Sequence, residues 1–193
     1  SLGRLFDGAA SLLGLCQRTS FEGEAGLRLQ GLAALAASAP TAQPDRGDCD
    51  RYPFPQVPAA AGDGSGLPLG WLDWQPLLEA LLADRAAGEA PSRCALRFHR
   101  AVAQGVADLL TSAAHVRGCR TVVLAGGCFQ NALLLEQLTA RLRRRGLQAH
   151  VARAVPGNDG GLALGQVWAC RGLTERLGPG LRASPDRRAR SSH

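Results

Sequence analysis

Methionine is absent from all 193 residues, position 1 included, so the sequence reads as a fragment or a processed piece. Lysine is absent too, and all 22 basic residues are arginine. That excludes a P-loop, whose lysine reaches the terminal phosphates, and Schiff-base lysine chemistry. The bias toward Arg, Ala, Gly and Leu is the one a GC-rich genome produces. Aromatic residues make up only 5%, against a formal charge of +6. Nucleic-acid readers usually interleave basic and exposed aromatic residues on one face, so this composition argues against nucleic-acid binding. Half of the charge lies in the last thirteen residues, where Arg182, Arg187, Arg188 and Arg190 stand against Asp186. They read as a disordered basic tail.

Other absences narrow the chemistry. Six cysteines occur without a CxxC pair, which fits neither zinc spacing nor a disulfide-stapled secreted domain. No HxxxH or HExxH motif occurs, and no nucleophile elbow supports a serine hydrolase. No run approaches the ~20 apolar residues of a membrane span, and the first residues lack the order of a secretory signal. A soluble, cytoplasmic chain with reduced thiols is the expectation.

What is present is periodic. Leu5, Ala9, Leu12 and Leu13 repeat at helical spacing, as do Leu27, Leu29, Leu32 and Leu35. Residues 38 to 70 are rich in Pro, Gly, Asp and Ala, and only Tyr52-Pro53-Phe54 hints at a short strand, which its prolines make an edge or no strand at all. Helices are predicted over Trp74 to Ala86 and along a face marked by Phe98, Val102, Val106, Leu109, Leu110 and Ala113. A buried strand follows at Arg120 to Ala125, then Gly126-Gly127 and a helix with Phe129, Leu134, Leu138 and Leu142 inward. Gly146 is a plausible helix end. Gln148 to Ala152 reads as a second strand, and Leu162 to Leu173 as the last core helix. Strand, helix and strand in succession predict an α/β arrangement with parallel pairing. Ligands of such sheets bind off the carboxyl ends of the strands, where both glycine-rich turns, 126–127 and 157–161, should converge.

Each candidate residue has two readings. Gly126-Gly127 lets a backbone approach a phosphate, or is a tight turn with close packing and no ligand. Asn131, expected one turn into the next helix, can hydrogen-bond a ribose or a ligand carbonyl. Asp159, between Asn158 and Gly160-Gly161, can reach a metal or a phosphate-bound cation, or can simply cap a helix. Asp7 and Glu22 read equally well as solvated charges. His99, His115 and His150 are isolated, and His99 reads as a core or surface histidine.

Five segments together resemble a known family. Leu-Ala-Gly-Gly-Cys-Phe-Gln-Asn at 124–131 and Pro-Gly-Asn-Asp-Gly-Gly-Leu-Ala-Leu-Gly-Gln at 156–166 are similar to the Kae1-like domain of the HypF carbamoyltransferases. Gly3-Arg4-Leu5-Phe6-Asp7, Ser20-Phe21-Glu22-Gly23-Glu24-Ala25 and Phe98-His99-Arg100 fit the same domain in the same order. The resemblance runs from residue 1 to about 174, with 175–193 as the tail. It implies the C-terminal lobe of an actin-like (ASKHA) ATPase, a mixed sheet flanked by helices. It further implies a [NiFe]-hydrogenase maturation enzyme that uses carbamoyl phosphate and ATP. Carbamoyl-adenylate would be the intermediate, and the acceptor would be the C-terminal cysteine of the partner HypE. By the same resemblance Asp159 would hold a divalent metal (iron, zinc or magnesium). Asp7 and Asn131 would contact the nucleotide, Gly23 would lie near its ribose or base, and Gly126 and Gly127 would let the backbone approach it.

The family's two metal-binding histidines come from a motif of the first lobe that this sequence lacks. Its acylphosphatase-like, zinc-finger and carbamoyl-phosphate-processing modules are also missing. The isolated chain is therefore expected to bind metal and nucleotide weakly or not at all. Two alternatives remain at this stage: the sister enzyme that modifies tRNA with threonylcarbamoyl, and a non-catalytic fragment used as a docking surface.

Overall fold

The computed structural model describes residues 1–39, 50–58 and 70–177, with side chains described to residue 171. Most of the Pro/Gly-rich loop and the basic tail from 178 lie outside the described residues. Six α-helices are described: α1 (Leu2–Leu12), α2 (Glu24–Ala37), α3 (Gln75–Ala86), α4 (Pro91–Arg117), α5 (Ala132–Arg144) and α6 (Leu162–Leu177). Four short strands accompany them: β1 (Gln56–Val57), β2 (Trp71–Leu72), β3 (Thr121–Leu124) and β4 (Gln148–Val151). No described helix is long and apolar enough to cross a membrane.

The 27-residue α4 organises the body. It starts at Pro91, where a missing N–H costs nothing, and ends at Gly118, whose φ of 62° closes it. Phe98 and Val102 of the predicted face are buried, and Val106, Leu109, Leu110 and Ala113 are half-buried. Its first turns are buried on further sides as well, taking in Cys94, Ala95, His99, Arg100 and Ala101. One apolar stripe therefore understates this helix. α1, α2, α3 and α5 all pack around it or each other, and Leu29, Leu77, Leu81, Leu134, Leu138 and Leu142 fill the core without exposed surface. On α2 the inward stripe is Ala25, Leu29 and Ala33, at fourfold spacing, and the expected Leu27 and Leu35 point outward. Small residues at two of those positions let the helix axes approach closely.

Of the two readings of Tyr52 to Phe54, an edge strand or none, the structure shows none. These residues are pinned by side chains instead, and the antiparallel pairing falls at β1 and β2, in the register Gln56↔Leu72 and Val57↔Trp71. Buried Tyr52 donates its hydroxyl to Asp84 Oδ2 at 2.8 Å, and Arg97 donates to the same oxygen at 2.6 Å. Burial raises the Tyr52 hydroxyl pKa, so it stays protonated as that donor. Arg100 pairs with Asp50. Phe54 lies against α4 where a Cβ on Gly105 would come within 2.6 Å of the ring, so only glycine fits there.

β3 and β4 pair in parallel, Thr121↔Gln148 through Leu124↔Val151, with α5 as the crossover. Strand, helix and parallel strand thus form as the pattern required. The class is α/β, with the parallel and antiparallel strands in two separate pairs. Val122, Leu124, Ala149 and Val151 face the helices, while Val123, 71% exposed, stands on the bare side. α6 corrects the expectation of a last core helix. Its described side chains are exposed, Trp168 by 73%, and its main contact is with the turn before it. The apolar composition was read correctly, but among the described residues α6 has no apolar surface to cover it.

Candidate functional site

At the carboxyl end of β3 the chain turns through Ala125 and Gly126 into a 3-10 turn, Gly127–Gln130, before Asn131 opens α5. At the end of β4 it runs through Pro156-Gly157-Asn158 into a second 3-10 turn, Asp159–Gly161. The two loops meet, because the Gly126 N–H donates to the Gly157 carbonyl at 2.5 Å. Between them opens a cavity of about 220 Å³, lined by Leu124, Gly126, Phe129, Gln130, Gly157 and Asn158 among others. The convergence predicted from the parallel topology is thus present, at the edge where such sheets bind ligands.

The glycines divide into two kinds. A Cβ on Gly161 would overlap the Pro156 carbonyl oxygen, and one on Gly160 would approach Asn158 Oδ1 to 3.2 Å. Gly161 is therefore required by packing, and Gly160 is held close to it. A Cβ on Gly126 or Gly127 would meet nothing within 4 Å. Gly126 is explained by its φ of 113°, a region side chains rarely adopt. Among the described residues neither backbone strain nor packing explains Gly127. The tight turn of that reading is present, in the backbone of Gly126, but the close packing over 126–127 is not found among the described residues.

Asn131 is not one turn inside α5 but its N-cap, with Oδ1 accepting the Leu134 N–H at 2.9 Å. Its Nδ2 lies 2.9 Å from Nε2 of His99. His99, which has no exposed surface, is placed on its other side by Nδ1 at 2.8 Å from the Ala95 carbonyl. Burial pulls the His99 pKa down to about 4, so the ring is neutral at pH 7. His99 is a core histidine, as one of its two sequence readings had it, yet it touches a candidate site residue. Asparagine before an apolar helical run is a recognised cap signal, which the expectation of Asn131 inside the helix passed over.

Asp7 lies on α1, paired with Arg4 at 3.3 Å and partly exposed. α1 packs against the 127–130 turn. Burial first, and the Asp7 carboxylate second, push the Cys128 thiol above its ordinary pKa, which places Asp7 beside that turn. Gly23 begins α2 with φ 84°, and Gly26 of the same helix packs on Phe6. Of the expected site residues only Gly126 lines the cavity; Asp7, Gly23, Gly127, Asn131 and Asp159 do not. Glu24, whose role the sequence did not reveal, organises the Gly23 turn. Its carboxylate accepts the Ser20 N–H at 2.5 Å and pairs with Arg28 at 2.6 Å. The Ser20 backbone bond chiefly holds its pKa below the usual carboxylate value.

Asp159 is not the cap of its turn; Asn158 is, accepting the Gly160 N–H at 3.1 Å. Among the described residues no hydrogen bond or ion pair engages the Asp159 carboxylate, which is exposed next to the cavity residue Asn158. No group of three or more His, Cys, Asp or Glu able to hold a metal occurs among the described residues.

Residues 1–166 match the family described as the carbamoyltransferase Kae1-like domain, second subdomain. The chain is 40% identical over 178 residues to carbamoyltransferase HypF2 of Cupriavidus necator, covering 87% of this chain and 21% of that protein. It is also 40% identical over 184 residues to a carbamoyltransferase HypF homolog of the same organism, covering 93% of this chain and 42% of the relative. Among solved structures it resembles full-length HypF in its phosphate- and nucleotide-bound form. The TM-score is 0.73 at 28% identity, over 90% of this chain and 20% of that one. The chain thus spans about a fifth to two fifths of the length of these relatives. It belongs to the HypF carbamoyltransferase family, as the second subdomain of the Kae1-like domain.

Proposed function

We propose that this chain supplies one wall of a nucleotide site in a [NiFe]-hydrogenase maturation carbamoyltransferase. The whole enzyme would use carbamoyl phosphate and ATP to form carbamoyl-adenylate, then pass the carbamoyl group to the C-terminal cysteine of HypE. The observation that carries the reading is Gly127. It stands over open space beside the cavity where the two turns meet, and no described residue gives it a reason to be glycine. A related protein of similar fold, of which this chain covers 20%, has been solved in a phosphate- and nucleotide-bound form, which supports such a ligand for the whole enzyme.

The chemistry asks little of side chains. An acyl-adenylate already has a good leaving group, so rate comes from holding the reactants together and offsetting phosphate charge. A backbone free of side chains at 126–127 lets the ligand come close, and the loop-to-loop bond keeps both turns rigid. Asn131 is half-exposed and retains one Nδ2 hydrogen beyond its bond to His99. Asp7 borders the same turn. A resident divalent metal does not fit the described residues alone: Asp159 offers one ligand, and no described cluster supplies the others. No step of this chain is therefore assigned to a metal. We place Asp159 as the single ligand this subdomain would lend to a site completed elsewhere.

The test is Gly127→Ala in a complete carbamoyltransferase containing this chain. The added methyl meets no protein atom, so thermal unfolding should hardly move. ATP-dependent carbamoylation of HypE should fall about a hundredfold, as misplacement at a positioned site does. An unchanged rate would remove the reading's main support.

A further inference from the structure

We infer that His99 is a positioning residue for the nucleotide site, locking the Asn131 amide, and with it the Gly127–Gln130 turn, into one orientation. This rests on the nucleotide reading of the site above. The geometry forms a one-way chain of donors. The Ala95 carbonyl can only accept, so the hydrogen of the neutral ring sits on Nδ1. Nε2 is then a bare acceptor and takes a hydrogen from Asn131 Nδ2 at 2.9 Å. Asn131 Oδ1, at the other end of the amide, accepts the Leu134 N–H at 2.9 Å.

Every donor faces an acceptor, and only one arrangement allows it. Turning the amide over would set Oδ1 against the Nε2 lone pair and Nδ2 against the Leu134 N–H. Two hydrogen bonds would become two repulsions. Moving the ring hydrogen to Nε2 would set the bare Nδ1 lone pair against the Ala95 carbonyl oxygen, in a site with no water-exposed ring surface. The ring plane is held as well. Phe6 meets it edge-on with centroids 5.3 Å apart, and Phe98 does so at 6.0 Å. The histidine therefore joins α4, the residue beside Asp7 on α1, and the first turn of α5. It does not itself reach the ligand. What it fixes is which way the remaining Asn131 hydrogen is presented.

Two substitutions separate this role from plain core filling. His99→Gln keeps an acceptor, Oε1, within reach of Asn131, and His99→Leu fills space without one. Nitrogen-15 NMR of the 193-residue chain at pH 7 should show the Nδ1–H tautomer in the wild type. The Asn131 side-chain amide pair should shift in His99→Leu and return in His99→Gln. In a complete carbamoyltransferase containing this chain, ATP affinity should fall about tenfold in His99→Leu, the equivalent of one lost orienting bond, and recover to within about twofold in His99→Gln.

An Nε2–H tautomer, or an Asn131 amide indifferent to His99→Leu, overturns the inference. So does an ATP affinity that ignores His99→Leu while the amide shifts. Should His99→Leu fail to fold, the wild-type tautomer and the His99→Gln affinity decide. If the complete wild-type enzyme shows no saturable ATP binding, the nucleotide reading fails instead. Positioning is then judged on the tautomer and the Asn131 amide alone.

Discussion

Phe98 on α4 has no exposed surface, whereas Trp168 on α6 has 73% of its surface exposed, although both belong to apolar helical runs. Around α4 the chain contains its own partners, and from Cys94 to Ala103 every residue but Arg97 is buried. From Ala152 onward the described side chains are almost all exposed, and the outer side of β3 carries a bare Val123. The candidate site lies on the boundary between these regions. Its floor comes from the packed body, through Leu124 and Leu135, and its rim from the exposed 156–158 segment. Periodicity reports that a helix needs a covering surface; it does not say where that surface comes from. A rigid floor beside a bare rim suits a subdomain whose relatives are several times longer.

The sharpest break of this contrast is Phe98→Ala. Removing a fully buried aromatic side chain next to Phe6 and His99 should cost about 3–5 kcal/mol, read by urea unfolding. A loss below about 1 kcal/mol would mean that the α4 body is loosely packed, and the contrast would disappear.

A somewhat smaller effect should appear on acidification. The unfolded chain takes a proton at His99 below about pH 6.5, while the folded one resists until about pH 4. The unfolded state binds more protons between those values, so stability must fall as pH drops through that window. The shift corresponds to on the order of 3 kcal/mol at most. Glu24 acts in the same direction but lower, since its depressed pKa costs stability only below the ordinary carboxylate range. Among the described residues no carboxylate pairs with the His99 ring. Urea unfolding at pH 7, 5.5 and 4.5 should therefore show a steep wild-type decline that flattens in His99→Gln. Parallel declines in the two proteins would refute the assignment.

How far these features were legible beforehand depended on the distance of their partners in sequence. The β3–α5–β4 unit and the meeting of its two glycine turns followed from local pattern, because a parallel crossover has essentially one hand and one ligand-binding end. The cap at Asn131 rests on an equally local signal, which the expectation passed over. The pairings of His99 and Arg100 were not legible, since their partners, Asn131 and Asp50, lie far along the chain and no spacing rule joins them. The same holds for Tyr52, whose hydroxyl finds Asp84 across 32 positions and turns an apparent strand into a pinned segment. β2 is too short for alternation to announce it. The purpose of each glycine was also hidden. In sequence Gly127 and Gly161 look alike, yet one faces open space and the other is packed against a carbonyl.

The smallest effect is expected at the other end of the comparison, and it is diagnostic for that reason. Leu164, Val167 and Trp168 stand three and four residues apart, on one side of α6, each more than half exposed. Trp168→Ser removes the largest of them. Because 73% of the Trp168 surface is exposed among the described residues, the change should alter the unfolding free energy of the chain by no more than about 0.5 kcal/mol. Association should respond instead, because a contiguous exposed apolar face favours contact between copies. Sedimentation should show the wild-type chain associating at lower concentration than Trp168→Ser, with the two unfolding curves superimposed once both are monomeric. A stability loss above about 1 kcal/mol in the monomer would place Trp168 against the body in solution. α6 would then belong with α4 in the packed region, and the boundary on which the candidate site is drawn would have to move.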